Sequence, residues 1–301
     1  MQDILDLLPI KARSIYSISK GWSDDAKFKI IDEGDQTYLL RVNSAHEWDK
    51  KRKEYDKLQE IYSANIPMNK PLHLGLNPSK EKLFMLLSWV DGEDAIDKIT
   101  TVSLQEQYKL GVQSGLYLRY FHQYNAPSNL LSWETRYSQK IIRKIKHFKQ
   151  CDVQPESYNL FIDFILDHID LIKHRPQSFH HGDYHLGNMV ISSAGKLGII
   201  DFNRWDYGDP WEEFNRIVWS AQQSPNFASG YIDGYFDNQI PSDFFPLMAL
   251  YIASNQLSSI PWSIPFGQSE IDIMIAQGQE VLSWYDQMQS TRPNWYIGSV
   301  V

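Results

Sequence analysis

Several features that define common protein classes are missing from this sequence of 301 residues. Cys151 is the only cysteine, so an internal disulfide cannot form and a CxxC metal or redox motif is excluded. The longest strongly apolar run, about Leu83 to Val90, is far shorter than the roughly 20 residues that a membrane-spanning helix needs. The first residues, MQDILDLLPIKARS, lack the basic start and apolar core of a signal peptide. These absences predict a soluble, cytoplasmic protein with no membrane partner.

The familiar nucleotide-binding and metalloprotease motifs are also absent. The chain has no P-loop GxxxxGK[ST], no glycine triad GxGxxG and no HExxH. Its net charge of −8 and pI of about 5.6 argue against nucleic acid as a partner. An acidic protein does suit a cationic small-molecule substrate. The apolar content of 43% is sufficient for one large domain or two lobes.

The most informative stretch is 179–210, FHHGDYHLGNMVISSAGKLGIIDFNRWDYGDP. A turn at 193–195 joins two short apolar strands into a hairpin. This hairpin is expected to bring Asn188, before its first strand, close to Asp201, at the end of its second. Asp183 lies on the loop that leads into the hairpin. Carboxylate and amide oxygens are hard ligands that suit Mg²⁺, so the hairpin end is a candidate metal site.

The order of these residues resembles the aminoglycoside phosphotransferase and choline kinase families, small-molecule kinases with a protein-kinase-like fold. Their pattern is HGDxxxxN, a hydrophobic strand that ends in D, and then GDP. This chain has His181-Gly182-Asp183, Asn188, Asp201 and Gly208-Asp209-Pro210, and the resemblance extends over about 14–240. It implies that Asp183 orients and deprotonates the attacking hydroxyl, that Asn188 and Asp201 bind Mg²⁺, and that Asp209 braces the loop.

Three other interpretations of the stretch stay open at this point. Asp, Asn and Gly favour turns, so the segment could be an ordinary hairpin loop. His180, His181, Asp183 and His185 could form the zinc site of a metallohydrolase. The protein could also be a non-catalytic nucleotide-binding module, although loss of Asp183, Asn188 or Asp201 would favour that and all three are present.

The N-terminal residues alternate as strands do, and they predict a small antiparallel sheet. The resemblance implies that the loop Ser19 to Asp25, with Gly21 as its only glycine, covers the nucleotide phosphates. It also implies that Arg41 in YLLRV contacts those phosphates, although a surface arginine is the alternative. The expected strands are Ser14 to Lys20, Ala26 to Asp32, Thr37 to Val42 and Leu83 to Val90.

The charged segment His46 to Ser63 has apolar residues at helical spacing and predicts an amphipathic helix. The resemblance implies that a glutamate of this helix pairs with Arg41. Glu54 is the first candidate, and Glu47 and Glu60 are alternatives.

A hinge between two lobes is predicted just after the last strand of the sheet. Pro67 and Pro71 are expected to break the chain before that strand. Ser88 and Val90 are expected to offer backbone groups to the adenine edge. The resulting domains are a nucleotide-binding lobe at 1–92 and a helical catalytic and substrate-binding lobe at 93–301.

The second half predicts a mostly helical lobe, so the fold class is α+β, a protein-kinase-like bilobal fold. His122 is interpreted as a core histidine rather than a catalyst. A proline-interrupted loop is expected at 258–267. The expected helices are 103–124, 133–149, 158–173, one that begins at Pro210, 228–239, 244–259 and 270–289.

The function predicted from the resemblance is transfer of the γ-phosphate of ATP or GTP, with Mg²⁺, to a small-molecule hydroxyl. A cationic aminoglycoside antibiotic is the first candidate acceptor, and the role is either antibiotic resistance or metabolism. Choline, macrolides, homoserine and sugars are alternatives, and either a monomer or a homodimer is expected. Candidate substrate residues, each of which also has a structural interpretation, are the exposed carboxylates Asp206, Glu212 and Glu213 and the stacking rings Trp205 and Trp262.

Overall fold

A computed structural model describes residues 1–19 and 25–298, which fall into two compact units. The first unit contains residues 1–94 and 188–203, and the second contains residues 95–187 and the chain from 204 onward. The predicted boundary at 92 lies beside the first of these divisions. Residues 188–203 also belong to the first unit, so the division has more than the one predicted boundary. Gly21 and the rest of 20–24, the centre of the expected phosphate loop, lie outside the described residues.

The described residues form α-helices, strands and short 3₁₀ segments, here numbered in chain order. The strands are β1 Ala12–Ile18, β2 Ala26–Asp32, β3 Thr37–Ser44, β4 Pro71–Leu76, β5 Lys82–Ser88, β6 Glu93–Asp94, β7 Ser178–His180, β8 Met189–Ile191, β9 Leu197–Ile199 and β10 Asp206–Gly208. The α-helices are α1 Gln2–Leu5, α2 Trp48–Ile61, α3 Ala95–Lys98, α4 Leu104–Phe121, α5 Trp133–Lys149, α6 Asn159–His168, α7 Ile217–Gln223, α8 Pro225–Phe236, α9 Phe244–Ser263 and α10 Gln268–Trp284.

The first unit is built on a five-stranded antiparallel sheet in the order β1-β2-β3-β5-β4. Inward-facing residues at alternate positions, such as Leu40 on β3 and Phe84 and Leu86 on β5, form its core together with Ile30. The expectation that Pro71 breaks the chain is wrong, because Pro71 begins β4. Proline lacks an N–H for the ladder, and it is tolerated here because β4 lies at the sheet edge and Pro71 is its first residue.

The predicted hairpin forms β8 and β9, with Met189 opposite Ile199. It joins the first unit through the segment that precedes β4. The Ile199 N–H donates a hydrogen bond of 2.8 Å to the Pro67 carbonyl, and Met68 forms a parallel bridge with Ile199. These backbone bonds explain why 188–203 belongs to the first unit although it lies far from that unit in sequence.

The second unit contains a close crossing of α4 and α8. Both helices carry a Gly-xxx-Gly pair, Gly111 and Gly115 on α4 and Gly230 and Gly234 on α8. A Cβ atom added at Gly115 would lie 2.3 Å from the carbonyl oxygen of Tyr231. Only glycine permits this approach of the two backbones.

The predicted loop at 258–267 is wrong for its first part, because α9 continues through Pro261 to Ser263. This helix is apolar and buried on nearly its whole circumference, so packing overrides the helix-breaking tendency of proline. The segment after Asp209 also differs from the prediction, since Pro210–Arg216 is a 3₁₀ helix that leads into α7. Within 1–19 and 25–298, no helix has the length and apolar character needed to span a bilayer.

The α4–α8 crossing generates a stability prediction for Gly115→Ala. Alanine favours a helix over glycine by about 1 kcal/mol. The added methyl group would however overlap the Tyr231 carbonyl, and overpacking of this kind costs about 1–3 kcal/mol. We therefore expect a net loss of unfolding free energy in urea titrations. The control Leu116→Ala, at the neighbouring exposed position, should change the unfolding free energy by about 0.5 kcal/mol or less. A variant at Gly115 that is as stable as the parent protein would contradict the close crossing.

Candidate active site

The loop that carries Asp183 is held in place by its glycine. It follows β7, which pairs with β10, and Gly182 adopts a positive φ of 83°. A Cβ atom at Gly182 would lie 2.0 Å from the carbonyl oxygen of Arg204. The Gly182 N–H donates a 2.9 Å hydrogen bond to Oε1 of Glu213. Backbone conformation, close contact and hydrogen bond together determine where Asp183 lies.

Two arginines and a histidine lie close to the Asp183 carboxylate. Its Oδ1 lies 3.4 Å from Nε of Arg216 and 3.6 Å from Nε2 of His185, and its Oδ2 lies 3.8 Å from Nε of Arg204. Burial raises the pKa of Asp183, but the nearby His185, Arg216 and Arg204 side chains outweigh burial and lower that pKa well below its ordinary value. The carboxylate is therefore ionised at neutral pH and can accept a hydrogen bond from a substrate hydroxyl. As a base it is weak, which suits alignment of the nucleophile more than early removal of its proton.

The histidines of the same stretch lie in separate environments. His180 Nε2 is 2.8 Å from the Asp209 carbonyl, and His181 Nδ1 accepts a 3.3 Å hydrogen bond from the Asp183 N–H. His185 contacts the Asp183 carboxylate. In the described part of the chain, no three His, Cys, Asp or Glu side chains converge as metal ligands. The geometry therefore gives the zinc interpretation no support.

Glu213 is a buried support of the loop that carries Asp183. Besides accepting the Gly182 N–H, its carboxylate lies 4.0 Å from Nε2 of His122, and His122 Nδ1 is 2.8 Å from the Tyr235 hydroxyl. Burial raises the pKa of Glu213, but the nearby side chains of His122, His180 and His181 outweigh burial, so the pKa lies below its ordinary value. The expected exposure of Glu213 is wrong, because only 1% of the residue is accessible. His122 is a core histidine, as predicted.

Glu212 is also buried, with 8% of the residue accessible, so the expectation of an exposed carboxylate is wrong here too. Its Oε1 accepts a 2.8 Å hydrogen bond from Lys140, and its Oε2 lies 3.7 Å from His180. Burial raises the pKa of Glu212, but the charges of Lys140 and His180 lower it to about 2. The carboxylate therefore serves as a fixed anion within the protein.

The other three predicted substrate residues have different surroundings. Asp206 is exposed, as expected, and lies 3.5 Å from Arg136. Trp205 is half-buried and stacks on Phe179. Trp262 is exposed near the end of α9.

Asp209 has the bracing surroundings that the resemblance implies. It is fully buried and accepts hydrogen bonds of 2.8 and 3.0 Å from Arg175 and one of 2.6 Å from the Tyr251 hydroxyl. It also caps the following 3₁₀ helix through the Trp211 N–H, at 3.1 Å. Arg175 in turn stacks on the Trp211 ring, 3.7 Å from its centroid.

In the first unit, Arg41 and Glu54 form the expected pair. Arg41 Nη1 donates a 2.6 Å hydrogen bond to Glu54 Oε1, and both side chains are almost fully buried. Arg41 also contacts Asp25, and Lys51 donates to Asp25 at 3.0 Å and to Glu54 at 3.1 Å. Asp25 and Lys51 were not anticipated. The helical i, i+3 spacing of Lys51 and Glu54 was the sequence signal for one of these contacts.

The two proposed adenine contacts are not equivalent. The Ser88 N–H donates to the Lys70 carbonyl at 2.9 Å, and the Ser88 carbonyl accepts from the Asn69 side chain at 2.9 Å. The Ser88 N–H is therefore already engaged within the protein. Val90 lies beyond the end of β5, is half-buried, and remains the stronger candidate.

Asn188 and Asp201 lie at the same end of the hairpin. The Ile200 N–H donates a 3.0 Å hydrogen bond to the Asn188 carbonyl, which aligns the residues just outside the paired strands. Asp201 adopts a positive φ of 66°, a conformation that aspartate tolerates and that often occurs at functional sites. Both residues are partly accessible. Burial lowers the pKa of Arg41, but the charges of Glu54, Asp25 and Asp201 outweigh burial and raise it. One carboxylate and one amide oxygen suit Mg²⁺, which keeps several waters and binds phosphates.

The second unit contains a cavity of about 630 Å³ that reaches the catalytic loop at Gly182. Arg204 and Arg216, which contact Asp183, both line it. The other four arginine and lysine residues of the lining all lie on α5, where residues three, four, seven and eight positions apart share one face. The charged lining residues are Arg136, Lys140, Arg143, Lys144, Arg204, Arg216, Asp206 and Glu212.

Comparison with known proteins identifies the family. A sequence profile described as the phosphotransferase enzyme family matches residues 14–245. The chain belongs to this family. A search of curated proteins by sequence finds no match.

Solved structures of aminoglycoside phosphotransferases share the fold. A mutant of aminoglycoside 2′-phosphotransferase-IIIa in complex with GDP is 14% identical with a TM-score of 0.69, covering 96% of this chain and 98% of that one. A thermostable mutant of APH(4)-Ia with ADP and hygromycin B is 15% identical with a TM-score of 0.67, covering 93% and 97%. The gentamicin–APH(2″)-IIa complex is 15% identical with a TM-score of 0.62, covering 95% and 96%. The predicted protein-kinase-like fold is confirmed, and at these identities the similarity concerns the fold alone.

The buried Glu212–Lys140 contact predicts a specific pH dependence of stability. The pKa of Glu212 falls from an ordinary value of 4.5 to about 2 in the folded protein. The ionised Glu212 side chain therefore contributes to the free energy of unfolding above about pH 4.5, and this contribution is lost as the pH falls towards 2. Glu212→Gln should be less stable than the parent protein at pH 7, and the gap in unfolding free energy should narrow over that acidic range.

The matched control for Glu212→Gln is Asp206→Asn, which neutralises an exposed carboxylate of the same region. Urea titrations at several pH values should show no comparable narrowing for this control. A gap between Glu212→Gln and the parent that stays constant from pH 7 to 3 would contradict the assigned role of Glu212.

Proposed function

We propose that this protein transfers the γ-phosphoryl group of ATP or GTP to a hydroxyl group of a small molecule. The observation that carries the proposal is the Asp183 carboxylate, which Arg216, His185 and Arg204 keep ionised beside a cavity of small-molecule size. Membership of a phosphotransferase family agrees with it. Relatives of the same fold have been solved with ADP and with GDP, which supports a nucleotide co-substrate. A lone cysteine and a nucleotide co-substrate suit the cytoplasm.

In the proposed reaction, Asp183 accepts a hydrogen bond from the acceptor hydroxyl and orients its oxygen towards the γ-phosphorus. A bond forms between that oxygen and phosphorus while the bond from phosphorus to the β,γ-bridging oxygen breaks. The nucleoside diphosphate leaves with the bonding electrons, and the hydroxyl proton passes by way of Asp183 to solvent. Catalysis is then mainly alignment and charge stabilisation.

Residues of the first unit are proposed to hold the nucleotide. Arg41 would contact the phosphates, and its guanidinium is held in one orientation by Glu54 and Asp25. Asn188 and Asp201 would hold Mg²⁺, which when bound neutralises phosphate charge. The backbone of Val90 would contact the adenine or guanine edge.

An aminoglycoside acceptor, with a role in antibiotic resistance, is supported by the relatives solved with hygromycin B and gentamicin. The other acceptors considered, choline, macrolides, homoserine and sugars, share the same chemistry. The cationic lining of the cavity does not favour a cationic acceptor. A screen of ATP and GTP consumption against a panel of these compounds tests the general function.

Asp183→Asn is expected to retain nucleotide affinity and to lose most turnover. The amide keeps the shape of the side chain but removes the charge that accepts and orients the hydroxyl proton. General-base and orienting groups of this kind typically contribute about 10²–10⁴-fold to rate. Steady-state assays with an identified acceptor, together with calorimetric nucleotide titrations, measure both effects. Near-normal turnover would remove Asp183 from the proposed role.

Asp201→Ala is expected to abolish the effect of Mg²⁺ on nucleotide affinity. The alanine removes the only carboxylate of the proposed pair, and the remaining amide of Asn188 is a weak ligand by itself. Calorimetric titration with and without Mg²⁺ provides a readout that does not depend on turnover. Asp206→Asn, an exposed carboxylate in the second unit, is the control and should leave the Mg²⁺ effect intact. An unchanged Mg²⁺ effect in Asp201→Ala would exclude it as the metal ligand.

A further inference from the structure

The charge of the cavity in the second unit is opposite to that of the whole chain. Its lining includes six arginine and lysine side chains and two carboxylates, whereas the chain carries a net charge of −8. With Asp183 counted beside Arg204 and Arg216, these basic side chains still outnumber the carboxylates by two to one. This concentration of like charge costs free energy unless a ligand of opposite sign offsets it.

The cations of α5 are only partly neutralised within the protein. Lys140 pairs with Glu212 at 2.8 Å, and Arg136 donates to the neutral Gln177 side chain and Tyr207 carbonyl at 2.6 and 2.8 Å. The carboxylate that pairs with Arg136 is that of the exposed Asp206, whose Oδ2 lies 3.5 Å from Nη2 of Arg136.

The next turn of α5 has still less negative charge nearby. Lys144 donates to the carbonyl and hydroxyl of Ser254, both neutral, at 3.1 and 3.2 Å. Arg143 lines the same cavity and is exposed. Burial, together with the charges of Lys140 and Arg216, lowers the pKa of Lys144 to about 7, although the charge of Glu212 raises it. An anion bound against these side chains would relieve the repulsion.

We infer that the acceptor is a small molecule that carries both a hydroxyl and an anionic group. Its phosphate or carboxylate group binds the α5 wall, formed by Arg136, Lys140, Arg143 and Lys144, while its hydroxyl reaches Asp183. Arginine provides a planar fork that matches either group, and lysine adds a compact charge. The inference rests on the proposed function for the transfer itself, which involves the same bond changes given above. It replaces the cationic acceptor predicted from the net charge.

The test compares compounds of similar size and different charge. Glucose 6-phosphate, gluconate, glucose and kanamycin are titrated calorimetrically into the full chain at two salt concentrations. Glucose 6-phosphate, gluconate or both should bind more tightly than glucose and kanamycin, and added salt should weaken that binding. Comparison of glucose 6-phosphate with gluconate shows whether the α5 wall binds a phosphate or a carboxylate group more tightly. Failure of both anions to bind, or tighter binding of kanamycin, would overturn the inference.

Two charge reversals on α5 locate the binding. Arg143→Glu, at an exposed position of the cavity wall, should weaken binding of the preferred anion by roughly tenfold. Lys149→Glu, exposed on the opposite side of the same helix, makes the same charge change and should alter binding by about twofold or less. Equal effects of the two variants would mean that the anion binds elsewhere and would overturn the inference.

A parallel assay of nucleotide consumption with the same compounds separates this inference from the proposed function. Anion binding to the α5 wall, with no phosphorylation of any acceptor in an extended panel, would support the charge assignment and contradict the kinase function. Phosphorylation of glucose or kanamycin in preference to both anions would support the kinase function and contradict the charge assignment.

Discussion

The loop that carries Asp183 depends on the close contact between Gly182 and the Arg204 carbonyl. A side chain of any size at position 182 would collide with that oxygen at 2.0 Å, and a positive φ of 83° adds backbone strain for any other residue. The same contact places Arg204 near Asp183, which follows Gly182 directly. Glu213 completes the arrangement by accepting the Gly182 N–H from within the core. One backbone approach therefore determines both the position of the carboxylate and the cation beside it.

Buried charges in both units are stabilised by being shared among several partners. Arg41 is held between Asp25 and Glu54, and Lys51 contacts both of these carboxylates. In the second unit, Asp209 accepts hydrogen bonds from Arg175 and from the Tyr251 hydroxyl. A buried ion pair gains little from charge attraction alone because desolvation opposes it. The gain here is orientation, since side chains with several fixed partners cannot rotate away from the groups they are proposed to bind.

The net charge of the chain was a poor guide to the charge of the cavity in the second unit. Carboxylates distributed over the exterior are screened within about 8–10 Å by physiological salt, so they contribute little inside a cavity. The local field is set by side chains that line the cavity, and α5 supplies four cations to it. A sequence signal existed, because Arg136, Lys140, Arg143 and Lys144 recur at the spacing of one helix face. The spacing identifies a cationic face but not what that face lines.

Local pattern determined much of this protein. Turn chemistry predicted the hairpin around 193–195, and helical periodicity predicted the limits of α5. Motif spacing identified HGDxxxxN, Asp201 and Gly208-Asp209-Pro210. All three signals depend on residues that are close together in sequence. Tertiary structure decided which carboxylates are buried, because burial depends on segments far apart in sequence. Long-range packing removed both Glu213 and Glu212 from solvent. Glu213 therefore supports the loop that carries Asp183, and Glu212 pairs with Lys140. The edge position that makes Pro71 acceptable in a strand was likewise set by pairing with β5, a relation that no short window of sequence contains.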